Sequence, residues 1–218
     1  MYYFVALEGI FSKFEINEEW VDYLIRNRTI LLEWVRYNLI GYLQDRNPNV
    51  PGIVEKVQKP EKRDLRRVSD YWKTIIEIDP KIKEIYQKVS LKDKPISIDH
   101  FVPWQYLSHD ELWNLTPASK PTNTSKNNRL PDRRFLRSFV EYNYYLYGLL
   151  FDNSNNDVAL QLMELFNKCE NQHLNAAWAT EKLYIPGNSK EQFENILEEN
   201  LGMVYDSAKL QEYEMWEI

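Results

Sequence analysis

The sequence predicts an α+β chain, mainly helical, with one small β-containing unit set between two helical regions. Three observations carry this. Apolar residues recur at spacings of three and four on both sides of a central segment, the period of a helix. Only 6 of 218 residues are glycine, which argues against a glycine-loop nucleotide fold. The helical period is interrupted at 95–116, where a β-branched run and a second short apolar run read as paired strands. The length suits one sizeable domain. Residues 1–218 are therefore read as a single unit with a helical N-terminal region (1–94), a core (95–131) and a helical C-terminal region (132–218).

The elements follow in order. Residues 2–14 read equally as a strand or as a ragged helix. Asn17-Glu18-Glu19 opens a helix with acids in its first turn, and Trp20, Leu24, Ile30, Leu31, Trp34, Val35, Leu39 and Leu43 carry it over 18–44, with a break near Asn27. Asn47-Pro48 through Pro51-Gly52 stops it. A second helix is expected over 62–77 and a short third one from Asp79-Pro80 to 88. Residues 95–99 are β-branched and read as a strand, with 113–116 as partner and 101–111 as a loop too long for a tight turn. Pro121 starts a short helix over 121–128. Helices are then expected over 133–149, 157–181 and 190–203 with a continuation, separated by turns at 152–156 and 186–189.

Composition narrows the function classes. No apolar run approaches the ~18 residues of a membrane span, and Met1-Tyr2-Tyr3-Phe4 has no basic leader region. Cys169 is the single cysteine, which excludes an internal disulfide and a cysteine-based zinc site and fits a reducing cytoplasm. The net charge of −6 argues against a nucleic-acid partner until its distribution is considered. From residue 189 onward eight acids face two bases, which accounts for the whole excess and leaves the preceding residues neutral. Residues 120–137 hold six bases and one acid.

The segment 98–131 carries the chemistry: Ile98-Asp99-His100-Phe101-Val102-Pro103-Trp104, then Leu112-Trp113-Asn114-Leu115, then Asn123-Thr124-Ser125-Lys126. Asn114 follows His100 by 14 residues and Asn123 follows it by 23. His100 is suited to be a general base, because a neutral imidazole takes a proton from water near neutral pH. Asn114 could fix the ring of His100 or brace the loop that carries it. Asp99 offers an anionic oxygen and Asn123 a carbonyl oxygen, a pair that suits Mg²⁺ or Mn²⁺ together with water and phosphate. Lys126, one turn after Asn123, could reach the same phosphate.

These residues resemble the HNH, or ββα-metal, nuclease signature. The order and spacing are similar to the HNH domain of RNA-guided nucleases, and the surrounding Asp-His-Phe-Val-Pro-Trp and Leu-Trp-Asn-Leu are similar to HNH endonucleases of bacterial restriction and phage-defence systems. The resemblance covers residues 96–131. It implies an embedded ββα-metal motif flanked by helices, and a metal-dependent endonuclease that hydrolyses phosphodiester bonds of DNA. His100 would be the base, Asn114 its supporting residue, and Asp99 and Asn123 the ligands of one divalent ion, Mg²⁺ or Mn²⁺. Asn123 stands where the family name expects histidine, and the Cys-x-x-Cys pairs that hold zinc in many HNH domains are absent, so no zinc is expected.

The basic residues beside the motif, Lys126, Arg129, Arg133, Arg134 and Arg137, are the expected contacts to nucleic acid. The choice between DNA and RNA stays open, as does the oligomeric state. Two alternatives stand beside the nuclease: a binding module without catalysis, and an effector gated by a protein partner at the acidic C-terminal region. Bland readings apply elsewhere. His109 is expected to be solvated. His173 should line a helix face or contact a partner. Tyr142, Tyr144, Tyr145 and Tyr147 are core packing more readily than a base-stacking platform. The six bases at 56–67 read equally as a solvated helix face or a backbone track, and Cys169 as a small buried hydrophobe.

Overall fold

A computed structural model describes residues 1–6, 13–46, 52–57, 64–151 and 156–217. The ambiguous start is a hairpin. Strands β1 (Tyr2–Ala6) and β2 (Lys13–Ile16) pair antiparallel, with Tyr2 opposite Ile16 and Phe4 opposite Phe14. Helix α1 (Glu18–Arg26) begins with Glu18 and Glu19, whose charge opposes the helix dipole. The expected break at Asn27 is shallow. Its backbone N–H donates to Tyr23 at 3.0 Å and its carbonyl accepts from Leu31 at 3.0 Å, so α2 (Arg28–Arg46) follows nearly in line. Neither helix buries a single side chain. The proline-rich stop at 47–51 lies outside the described residues.

A one-turn helix, α3 (Ile53–Val57), follows, and α4 (Arg66–Ile78) buries Val68, Tyr71, Trp72, Ile75 and Ile76 on one face. Residues 62 and 63, the expected start of that helix, lie outside the description. The short helix expected over 80–88 does not form. Lys83 bridges to Ser90, the Glu84 N–H donates to Val89 at 2.9 Å, and Lys88 turns the chain with φ 57°. Ile82, Glu84, Ile85 and Tyr86 are all buried here, a density of inward side chains that one helix face cannot supply.

Strand β3 (Ile96–His100) pairs antiparallel with β4 (Leu115–Ser119), with Asp99 opposite Thr116 and His100 opposite Leu115. The partner strand was expected at 113–116 but starts and ends later. Leu112–Asn114 form a 3₁₀ turn, and the strand continues through Pro117, which a two-stranded sheet tolerates at its edge. The intervening loop contains one helical turn, α5 (Trp104–Leu107), closed by Ser108 at φ 62°.

Helix α6 (Lys120–Lys126) follows β4 directly. Its start is fixed twice. Ser119 Oγ accepts from the Thr122 N–H, and the buried Glu84 carboxylate accepts from the Ser119 N–H at 2.6 Å and the Thr122 hydroxyl at 2.7 Å. Strand β5 (Leu130–Pro131) leads into α7 (Arg134–Phe151) and α8 (Asn156–His173). The α8 helix stops eight residues before the expected 181, and the remainder includes a π turn at Ala179–Leu183. Helix α9 (Lys190–Leu210) starts in a capping box formed by Ser189 and Gln192 and runs well past 203. Strand β6 (Met215–Trp216) then pairs parallel with β5.

The core lies where α4, α7, α8 and α9 enclose the β3–β4 unit. Phe101 packs on Phe139 at 4.8 Å between ring centres and on Tyr205 at 6.2 Å, and Tyr86 meets the edges of Phe135 and Trp216. Tyr142 stacks on Trp72 and Tyr147 is buried beside Phe193, so most of the tyrosine cluster is core. Cys169 is buried. The acidic C-terminal stretch is mostly built in: α9 buries Phe193, Leu197, Leu201, Tyr205 and Ala208 and leaves Glu191, Glu198 and Glu199 exposed. No described helix is long and apolar enough to cross a membrane.

Candidate active site

Two strands and the helix after them place the motif. Asp99 and His100 end β3, Asn114 precedes β4, and Asn123 and Lys126 lie one turn apart on α6. Asp99, His100 and Asn123 line one open polar cleft of about 420 Å³, together with Ile98, Pro103, Trp104, Thr124, Asn127 and Asn128. That is room for a phosphate and several waters.

Asp99 is 3% exposed and both its oxygens are engaged. The Tyr86 hydroxyl donates to Oδ2 at 2.6 Å and the Lys126 ammonium to Oδ1 at 3.1 Å. Burial pushes the Tyr86 phenol well above its usual range, with the Asp99 charge adding to the effect, so Tyr86 stays a donor. Lys126 is fully buried and also donates to the His100 carbonyl at 2.6 Å. Burial lowers its pKa, and the adjacent Asp99 opposes that shift. The amine therefore lies beneath the cleft, tying α6 to the end of β3.

Asn114 braces the loop. Its Oδ1 accepts from the Val102 N–H at 2.8 Å, its Nδ2 donates to the Val102 carbonyl at 2.9 Å, and its own carbonyl accepts from Phe101 at 2.8 Å. Of the two residues after His100, Val102 is thus fixed by a side chain 12 positions further on and Phe101 by the backbone carbonyl of the same residue.

His100 has a partner that the sequence did not mark. Its Nε2 lies 2.7 Å from Asp110 Oδ1, in the loop before the 3₁₀ turn. That loop is itself held from α8 and its continuation. The His173 Nδ1 donates to the Asp110 carbonyl at 3.0 Å, and the Glu111 carboxylate accepts from the Asn175 N–H and from the Trp113 indole. An acid in a polar loop carries no sequence signal for this. His109 packs against Trp113, with ring centres 5.7 Å apart, and is not simply solvated.

The basic rim is mostly engaged with acids. Arg133 pairs with Asp206, Arg137 with Glu141 at 3.0 Å, and Arg129 with Glu214 at 3.8 Å while also donating to the Ser125 carbonyl. Arg134 lies over the Phe135 ring. In the 56–67 run, Arg66 pairs with Asp64, Arg67 donates to the Lys168 carbonyl and Lys56 to the Tyr106 carbonyl, whereas Lys59, Lys62 and Arg63 lie outside the described residues.

Among the described residues, no three His, Cys, Asp or Glu side chains gather as a metal group. The oxygen donors that line the cleft are the Asp99 carboxylate and the carboxamides of Asn123, Asn127 and Asn128, with space for water. That set suits a hard divalent ion that keeps much of its hydration.

Residues 83–132 match the family model described as HNH endonuclease. The match spans less than a quarter of the chain and contains Asp99, His100, Asn114, Asn123 and Lys126. No curated protein matches the chain, and no solved structure does. HNH endonucleases generally act on nucleic acid with a divalent metal ion, and the match supports that family for this segment.

Proposed function

We propose that this protein is a metal-dependent endonuclease that hydrolyses phosphodiester bonds of DNA, and that it serves restriction or anti-phage defence. The observation that carries the reading is the convergence of Asp99, His100 and Asn123 on one polar cleft within the segment that matches the HNH model.

The Asp110 carboxylate accepts a hydrogen bond from Nε2–H of His100. In the neutral ring this puts the basic lone pair on Nδ1. His100 Nδ1 takes a proton from water as the water oxygen bonds to phosphorus. The bond from phosphorus to the 3′-oxygen breaks, and the leaving oxygen is protonated from solvent, giving a 5′-phosphate and a 3′-hydroxyl. Asp110 then faces an imidazolium and stabilises it, the role of the acid in a catalytic triad. Asn114 keeps the chain after His100 in place. Asp99 and Asn123 would hold one Mg²⁺ or Mn²⁺, which when bound supplies charge neutralisation at the phosphate and the leaving oxygen. Tyr86 and Lys126 each hold one oxygen of the Asp99 carboxylate, and each oxygen keeps a further lone pair.

Arg129 and Arg133, paired with acids of the C-terminal region, give a second reading: a nuclease covered by its own acids until a partner engages. Magnitudes disfavour it. These pairs are at least a third exposed on both sides, and such pairs contribute ~0–1 kcal/mol. A polyanion displaces them easily.

The test is supercoiled plasmid with the purified protein in Mn²⁺ or Mg²⁺, with and without EDTA. Nicking or linearisation that EDTA abolishes, and that His100→Ala reduces ~10²–10⁴-fold, supports the reading. Equal cutting by parent and variant eliminates it.

A further inference from the structure

We infer that the N-terminal arm, the β1–β2 hairpin with α1 and α2, is the interface through which two copies of this chain pair antiparallel. The arm spans roughly 40 Å of nearly continuous helix at ~1.5 Å per residue, and none of its helical side chains is buried. Tyr37 is 77% exposed, Ile30 72%, Ile25 67% and Trp34 65%. Among the described residues, 17 of the 22 exposed large apolar side chains fall before residue 47, so the apolar surface is concentrated on this arm.

The area decides that something covers it. At about 100 Å² each, roughly half of a large side chain, these residues expose on the order of 1,700 Å². The largest apolar patch on a typical monomer is ~300–600 Å², and a stable interface takes ~800 Å² from each partner.

The pattern decides what covers it. Ile30, Trp34 and Tyr37 lie along one side of α2 at helical spacing, and Leu32, Val35, Leu39 and Tyr42 lie along the opposite side. A helix resting on a lipid surface needs a single apolar face, and Arg28, Glu33 and Arg36 bar α2 from a bilayer interior. Two opposed faces need two covering elements. A second copy of the arm supplies both, its own helix and its apolar hairpin of Tyr2, Phe4, Phe14 and Ile16. Charge sets the direction. The arm's helix opens with Glu18, Glu19 and Asp22, and further on sets Arg26, Arg28, Arg36 and Arg46 against Glu33 and Asp45, with Arg36 paired to Glu33 at 2.7 Å, which leaves that portion net basic. An antiparallel pair sets the acidic start of one copy beside the basic portion of the other, whereas a parallel pair sets acids against acids. A two-fold axis closes such a contact without leaving a free end.

The test is the mass of the full chain in solution by light scattering and sedimentation equilibrium. The expected result is twice the 26.3 kDa of one chain. Ile30→Glu with Trp34→Glu should weaken the dimer at least 100-fold, with helix content unchanged by circular dichroism. Leu160→Glu, at an equally exposed leucine on α8, should leave it intact. Should the double variant misfold, spin labels on an otherwise native arm report independently. A label at residue 32, near the middle, should give a shorter distance between copies than one at residue 46, near the end. A monomeric parent, including one that instead binds lipid vesicles or another protein, overturns the inference. So does a dimer that survives the double substitution in a folded protein, or equal label distances.

Discussion

Lys126 Nζ lies 3.1 Å from Asp99 Oδ1, with the lysine fully buried and the aspartate 3% exposed. An ion pair this deep gives little net stability against an apolar pair, but losing one partner strands the other charge. Lys126→Met should therefore destabilise the fold by about 3–5 kcal/mol, read as a lower denaturant midpoint at neutral pH. Tyr86→Phe removes one hydrogen bond to the same carboxylate and should cost about 1.5–3 kcal/mol. Equal midpoints for Lys126→Met and the parent would mean that the pair is not formed.

In the proposed mechanism Asp110 positions His100, so its removal should separate binding from turnover. Asp110→Asn keeps the size and drops the charge beside His100. Turnover should fall by on the order of 10²–10⁴, as when a triad acid is lost, while DNA affinity without metal stays within about two-fold of the parent. Asp110→Glu should recover part of the rate. A fall in affinity matching the fall in rate would assign Asp110 to DNA binding.

Asn114→Ala removes both bonds to Val102 and leaves a buried N–H and a buried C=O unsatisfied. At about 1–3 kcal/mol for each stranded group, the variant should lose roughly 2–6 kcal/mol. Limited proteolysis should then cut first within 101–111. Unchanged stability would show that the loop holds without this brace.

Asp99→Asn should lower Mn²⁺ affinity at least ten-fold in the absence of DNA, measured by electron paramagnetic resonance of the free ion. Asn123→Ala should act in the same direction with a smaller loss, because it removes a neutral ligand. Mn²⁺ affinity unchanged in both variants would remove these residues from metal binding.

Alkaline pH should unfold the protein cooperatively. Burial raises the phenols of Tyr71, Tyr86, Tyr142 and Tyr184 above their ordinary value of 10.0. A group whose folded pKa lies above its unfolded one contributes stability below the unfolded value and loses it as pH rises through the folded one. Stability should thus decline above about pH 10, with tyrosinate absorbance appearing in step with loss of helix. Full ionisation of the tyrosines while the helices persist would contradict their burial.

Much of the architecture was legible in the sequence because it is local. The 3.6-residue period marked α4, α7 and α9, Asn27 marked the boundary between α1 and α2, and the β-branched run marked β3. The expected helix at 80–88 failed because Ile82, Glu84, Ile85 and Tyr86 answer to distant partners rather than to each other.

The spacing of Asp99, His100, Asn114 and Asn123 by itself determined the kind of chemistry to look for, since the oxygen and imidazole donors are fixed by residue type and their order by the chain. Only the tertiary structure decided what each touches. It sank Lys126 under Asp99, turned Asn114 onto Val102, and brought Asp110 to His100 from a loop held by His173. Those contacts join residues from 10 to 63 positions apart. No local pattern encodes them, because they exist only once the helices have closed around β3 and β4 and water has been excluded from the polar groups between them.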